Sequence, residues 1–154
     1  YALGGGAELV LCTDYRLAIQ GAKIGWPQAR LGIIPAWNGI DRLVRDCGPR
    51  VASNLMFTGK QIEAAEAKVL GLIDQVIDNN NIVDAALAYA KSLEESAPLA
   101  LKATKRIIKS CSKMTTEEVR KLQYDIFPDL WFSADHKEAE KAFSEKRKPI
   151  FSGR

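Results

Sequence analysis

The chain has 154 residues, 47% of them hydrophobic and 27% charged, which is the composition of an ordinary globular protein of about one domain, long enough to bury a core. A net charge of +3 is too small to point to nucleic acid, and no apolar run approaches the roughly 20 residues of a membrane span, so neither partner is expected. The cysteines Cys12, Cys47 and Cys111 lack metal-ligand spacing and His136 is the single histidine, so a zinc centre or a Ser/His/Asp triad is hard to build and metal-free chemistry is expected.

In chain order, Tyr1-Ala2-Leu3-Gly4-Gly5-Gly6 reads as the end of a strand entering a glycine turn, with no starting methionine and no secretory signal; the natural start is expected elsewhere. A soluble interior compartment, the cytoplasm, is expected, with a mitochondrial address left open for an upstream segment. Residues 7–13 are apolar and free of helix breakers, and 14–19 alternate as a strand does. Ile24-Gly25-Trp26 is a short strand, and 27–35, punctuated by Pro27, Gly32 and Pro35, reads as a loop or broken helical turn.

From Asn38 the period becomes helical through Ile40, Leu43, Val44 and Cys47. Gly48 ends that segment, Pro49 opens another through Met56, and Gly59 stops it. Residues 61–70 read as an amphipathic helix ending at Gly71, 72–77 as a short strand, and 78–81 as a turn. Four helices complete the chain at about 82–96, 97–110, 115–131 and 134–145, the third with a capping box in which Thr115 is the N-cap and Glu118 reaches back to it. Strand-forming segments thus concentrate before residue 36, and a mainly helical portion follows. Positive charge gathers at Lys102, Lys105, Arg106, Lys109 and Lys113 and again at Lys146-Arg147-Lys148, clusters that suit a polyanionic ligand.

Gly4-Gly5-Gly6 ahead of a helix offers backbone N–H groups that a ligand can approach without a Cβ in the way, reinforced by the positive end of the helix dipole. Such an arrangement stabilises an oxyanion, although a tight strand-to-helix turn needs the same glycines. Glu8 in the helix's first turn gains about 0.3–1 kcal/mol from the dipole, a sufficient structural reason for its presence. Beside an oxyanion site it would also be placed to move protons.

The run from Tyr1 to Leu9, followed by Cys12-Thr13-Asp14-Tyr15-Arg16-Leu17-Ala18, resembles the central motif of enoyl-CoA hydratases and their relatives in the crotonase superfamily. The similarity continues through Pro27, Leu31-Gly32-Ile33-Ile34-Pro35, Arg42-Leu43, Phe57-Thr58-Gly59, Gly71-Leu72 and Glu145-Lys146-Arg147-Lys148, and so covers the whole chain.

The resemblance implies an α/β fold: the C-terminal portion of a ββα spiral followed by a helical trimerisation region. It divides the chain into the end of the spiral core with the oxyanion and acid/base motif (1–36), remaining core helices with a short strand (37–95), and an oligomerisation region (96–154). It implies an acyl-CoA thioester as substrate, homotrimers or hexamers as the assembly, and no cofactor other than the coenzyme A that the substrate carries. Gly5 matches one of two N–H donors to the thioester oxygen. The other falls upstream of residue 1, so an isolated copy of this chain is expected to be inactive.

Glu8 matches one of two acid/base glutamates of the hydratases, and Gln28 stands at the position of the second. A carboxamide orients water but neither accepts nor returns a proton at neutral pH, so the two-carboxylate mechanism is not available as written. Gly4 is grouped with the substrate-contacting residues. Trp26, Ala36 and Trp37 are expected to shape the acyl pocket, with core packing as the alternative for both tryptophans. Phe127 and Lys146 match family positions that touch the coenzyme's adenine and phosphate region, against core packing and a solvated tail as the plainer readings. His136 reads as an exposed helix residue, and Asp14, Arg16 and Asp41 as structural. The resulting expectation is an acyl-CoA lyase using the Gly5 N–H and Glu8. The alternatives are a malonyl-type acyl-CoA decarboxylase, an enoyl-CoA isomerase, and a non-catalytic oligomeric or RNA-binding scaffold.

Overall fold

The computed structural model describes residues 1–78 and 81–154, which form two compact units, Tyr1–Leu87 and Ala88–Arg154. The first unit runs β1 (Ala2–Leu3), α1 (Gly5–Val10), β2 (Leu17–Ile19), β3 (Lys23–Gly25), a 3-10 turn (Pro27–Leu31), α2 (Gly39–Thr58), β4 (Gln61–Glu63), α3 (Ala64–Val69) and β5 (Gln75–Ile77), and the boundary falls inside α4 (Ile82–Leu93). The second unit continues with α5 (Pro98–Cys111), α6 (Thr116–Trp131) and α7 (Ala134–Ser144). No helix of the described residues is long and apolar enough to cross a membrane.

Two small sheets organise the first unit. β1 pairs parallel with β3, placing Ala2 opposite Ile24, and β3 pairs antiparallel with β4, placing Ile24 opposite Ile62. β2 and β5 form a separate parallel pair with Ala18 opposite Val76. Ile24, Trp26, Leu43, Leu55, Ile62 and Leu72 are buried together in the core between these sheets and α2.

The β4 strand corrects the helix expected over 61–70, which begins only at Ala64. The physical reason is tertiary: Ile62 is 1% exposed and packs in register with Ile24 at 4%, and burying a side chain of this size is worth about 1.5–3 kcal/mol. That exceeds the few tenths of a kcal/mol per residue by which helix propensities differ among ordinary residues. Strand-forming segments accordingly continue past residue 36, at β4 and β5.

Other boundaries move by a few residues. α1 begins at Gly5, two residues before the expected start, with Gly4 at φ 55° making the turn. β2 begins at Leu17, not Asp14, because the Arg16 N–H donates to the Asp74 carboxylate at 2.7 Å. The segment after Asn38 breaks at Gly48, where φ is 79° and ψ 162°, ahead of Pro49 as expected. The expected turn at 78–81 lies partly outside the described residues.

Arg16 has the structural role read for it. Its Nε donates to the Val10 carbonyl at 3.1 Å and its Nη2 to the Thr13 carbonyl at 3.2 Å, tying down the chain that leaves α1, and it pairs with Asp46 at 2.7 Å. In the second unit the capping box is present: Thr115 Oγ1 accepts from the Glu118 N–H at 3.3 Å, and Glu118 accepts from the Thr115 N–H at 2.7 Å. The hydrogen bonds that the carboxyl accepts from the Thr115 N–H and from the Thr115 hydroxyl, the latter at 2.9 Å, hold Glu118 below the usual carboxylate range.

Candidate active site

The sequence around α1 puts a carboxylate where an isolated side chain could not stay. Glu8 sits one turn into the helix and is only 3% exposed, so its charge has to be met by protein donors. Its Oε2 accepts from the backbone N–H of Trp37 at 2.8 Å and of Gly39 at 2.9 Å, and its Oε1 accepts from Gln28 Nε2 at 3.3 Å. Asn38, at φ 64°, bends the chain so that the amides on either side of it converge on one oxygen.

Gly39 makes this approach possible. A Cβ built on it would lie 2.5 Å from Glu8 Cγ and 2.7 Å from Oε2, distances no real side chain tolerates. Neither the two backbone amides nor the need for glycine at 39 was legible in the residue types, because a main-chain N–H belongs to every residue but proline. The trace that could have been read is the Asn38-Gly39 pair at a helix start, a dipeptide suited to turning the chain.

The Gly5 amide sits in the first turn of α1, upstream of the first intrahelical bond, in which the Glu8 N–H donates to the Gly4 carbonyl at 3.1 Å. The Gly4 amide is differently placed: it donates to the Gly25 carbonyl at 2.9 Å and so continues the β1–β3 pairing. The indole of Trp37 lies against Gly5, where an added Cβ would come 2.5 Å from Cζ3. One residue thus touches both halves of the motif, its ring covering Gly5 and its N–H holding Glu8.

Gln28 is 7% exposed and lies in the 3-10 turn. Trp26 and Trp37 separate. Trp26 is fully buried and lines an apolar cleft of about 190 Å³ with Ile33, Ile34, Pro35, Ile40 and Phe57, whereas Trp37 is 61% exposed. Ala36 is exposed beside Trp37.

In the second unit Phe127 is half exposed with its ring centroid 5.4 Å from that of Trp131, and Lys146 is exposed with φ 54°. His136 departs from the exposed position expected of it. Its ring lies 4.6 Å from Trp131, its Nε2 is buried, and Glu140 stands 3.9 Å away, beyond hydrogen-bond reach.

A glycine-led helix start beside a buried, hydrogen-bonded carboxylate is an arrangement chemically able to stabilise an oxyanion and to carry a proton. The chain belongs to the enoyl-CoA hydratase/isomerase family, whose model matches residues 1–154. The enoyl-CoA isomerase/hydratase fer4 of Mycosarcoma maydis is 41% identical over 154 residues, covering 99% of this chain and 56% of that protein. The carnitinyl-CoA dehydratase of Salmonella agona is 35% identical over 158 residues, covering 100% of this chain and 60% of that protein. The crystal structure of an enoyl-CoA hydratase from Mycobacterium tuberculosis superimposes with a TM-score of 0.96 at 33% identity, covering 100% of this chain and 61% of that one. The fold is therefore the crotonase fold, and the chain spans somewhat over half the length of these relatives.

Proposed function

We propose that the protein is an acyl-CoA lyase that stabilises a thioester enolate, with the Gly5 N–H donating to the thioester oxygen and Glu8 moving a proton at the α-carbon. The observation that carries this reading is the buried Glu8 carboxylate, fixed through Oε2 by the amides of Trp37 and Gly39 while Oε1 accepts the longer hydrogen bond from Gln28. In the direction of hydration, the ionised Glu8 takes a proton from water as the water oxygen adds at the β-carbon, negative charge develops on the thioester oxygen, and Glu8 returns that proton to the α-carbon. Gln28 orients the water or the acyl group. A donor aimed at developing charge is worth about 2.7–4 kcal/mol, the same scale as a positioned acid/base, so the Gly5 N–H and Glu8 contribute comparably to lowering the barrier.

Trp37 and Ala36 border the acyl group, with Trp26 behind them. Phe127 and Lys146 meet the coenzyme's adenine and phosphates, for which an aromatic face and a flexible ammonium are suited. The exposed apolar side chains Phe132, Phe143 and Ile150 of the second unit support assembly into homotrimers or hexamers.

Gln28 favours one second reading, decarboxylation of a malonyl-type thioester. There the bond to the carboxyl carbon breaks, carbon dioxide leaves, the electron pair passes into the enolate, and one protonated Glu8 suffices to complete the product. A panel of crotonyl-CoA, 3-hydroxybutyryl-CoA, 3-enoyl and malonyl-type thioesters, run on the chain joined to an upstream half that supplies the second N–H donor, with and without Glu8→Gln, tests both readings. Turnover of one panel member that Glu8→Gln abolishes is expected; full turnover in Glu8→Gln removes Glu8 from the mechanism.

A further inference from the structure

Gln28 presents its amide to Glu8 with one end unanswered. Its Nε2 donates to Glu8 Oε1 at 3.3 Å, while its own Oε1 is buried and has no hydrogen-bond partner among the described residues. Buried acceptors in native proteins are paired in the great majority of cases, so an unpaired one at a site calls for a reason. The two oxygens of Glu8 supply it. Oε2 faces two backbone N–H groups that cannot turn away, at 2.8 and 2.9 Å, whereas Oε1 faces a side chain that can. A proton arriving on Glu8 therefore sits on Oε1, where it would meet the Gln28 N–H head on. The terminal torsion of a glutamine is broad and nearly two-fold, so the amide can reverse in place.

We infer that Gln28 is a positioning residue whose side-chain amide turns over with the charge on Glu8, donating its N–H to the ionised Oε1 and accepting from the Glu8 O–H through its own Oε1. The inference rests on the acid/base role proposed for Glu8. In the step itself one proton passes between the substrate and Glu8 Oε1, and Gln28 gains and loses none. A carboxylic acid at position 28 would answer with its own ionisation; an amide answers only by rotating.

Other ionisable groups on the surrounding elements are engaged elsewhere. The Cys12 thiol donates to the Glu8 backbone carbonyl at 3.4 Å, Arg30 to the Thr58 carbonyl at 2.7 Å and Arg42 to the Trp37 carbonyl at 2.6 Å, while Asp41 accepts from Asn38 and Arg45.

The test is to follow the side-chain amide nitrogen and carbonyl carbon of Gln28 by NMR in selectively labelled full chain, from acid to neutral pH. A single inflection that disappears in Glu8→Gln is expected. Resonances that stay flat across the range in which the protein is folded, or that still titrate in Glu8→Gln, overturn the inference. In Gln28→Met, which cannot donate to the anion, the acid limb of kcat/KM moves to higher pH by about one unit; an unmoved limb counts against the role. Unimpaired turnover in Glu8→Gln would sink the acid/base reading while leaving the amide's titration standing, so the two failures are told apart.

Discussion

Among the described residues each unit of the protein buries one carboxylate, and the two are solvated in different ways. Asp135, 1% exposed at the start of α7, accepts from the Ser152 N–H at 2.6 Å and from the Gly153 N–H at 3.1 Å on Oδ1 and 3.0 Å on Oδ2, with the Ser152 hydroxyl at 3.3 Å. Both of its oxygens are met by the chain's last residues, and the Asp135 N–H returns a bond to the Arg154 carbonyl at 3.2 Å. Glu8 is equally hidden, yet only one of its oxygens is held by backbone; the other faces a rotatable amide. A carboxylate saturated by main-chain donors is a clasp, whereas one with a loosely held oxygen keeps a place for a proton.

The sharpest way to break this contrast is to neutralise each group. Glu8→Gln keeps the shape of the side chain and removes the proton, so kcat/KM on the productive thioester is expected to fall about 10²–10⁴-fold, the usual worth of a positioned acid/base, with thermal unfolding little changed. Asp135→Ala should do the reverse. The stripped N–H donors at Ser152 and Gly153 and the lost charge-assisted bonds are expected to destabilise the second unit by about 3 kcal/mol, read as a lower urea midpoint. If Asp135→Ala abolished the chemical step at constant stability, the clasp reading would be wrong.

Gly39→Ala probes the same contrast from the backbone side. The new Cβ would be driven into Glu8 Cγ at 2.5 Å, so either the α2 start or the carboxylate must move. A stability loss of about 1–3 kcal/mol is expected, with kcat reduced more than substrate affinity because the displaced group is the one proposed to carry the proton. Unchanged kcat alongside lost stability would show that Glu8 tolerates a wider range of positions than its two amides imply.

What could be read beforehand follows the range of the interactions. Gly5 and Glu8 stand three residues apart on one helix, and Thr115 and Glu118 close a box within one turn, so residue type and spacing carried both. β4 was read as helix because its pairing partner, Ile24, lies far along the chain and nothing local to residues 61–63 announces it. The donors to Glu8 were hidden for a different reason. Trp37 acts there through its N–H, which any residue but proline would supply, so its identity pointed to its ring and not to its amide. His136 was misplaced because a polar residue in a helix says little about the aromatic ring, Trp131, that the preceding helix brings against it.

The smallest expected effect concerns a carboxylate that is neither buried nor catalytic. Glu138 on α7 accepts from Arg147 at both oxygens, at 2.6 and 2.9 Å, and from the Ile150 N–H at 2.9 Å. The Arg147 hydrogen bonds, then the one from Ile150, bring its carboxyl down from the usual 4.5 to about 2. A depressed folded-state value means that the unfolded chain binds a proton more readily, so the pair's contribution to stability is fully present above about pH 4.5 and fades as pH falls towards about 2. Glu138→Gln should therefore flatten that acid limb of the melting temperature against pH while leaving neutral pH almost untouched. Because the pair is solvent-exposed, added salt should shrink the difference further, whereas it should leave the loss in Asp135→Ala nearly intact. An acid limb of equal slope in Glu138→Gln and the parent would assign the low-pH sensitivity of the second unit to other groups.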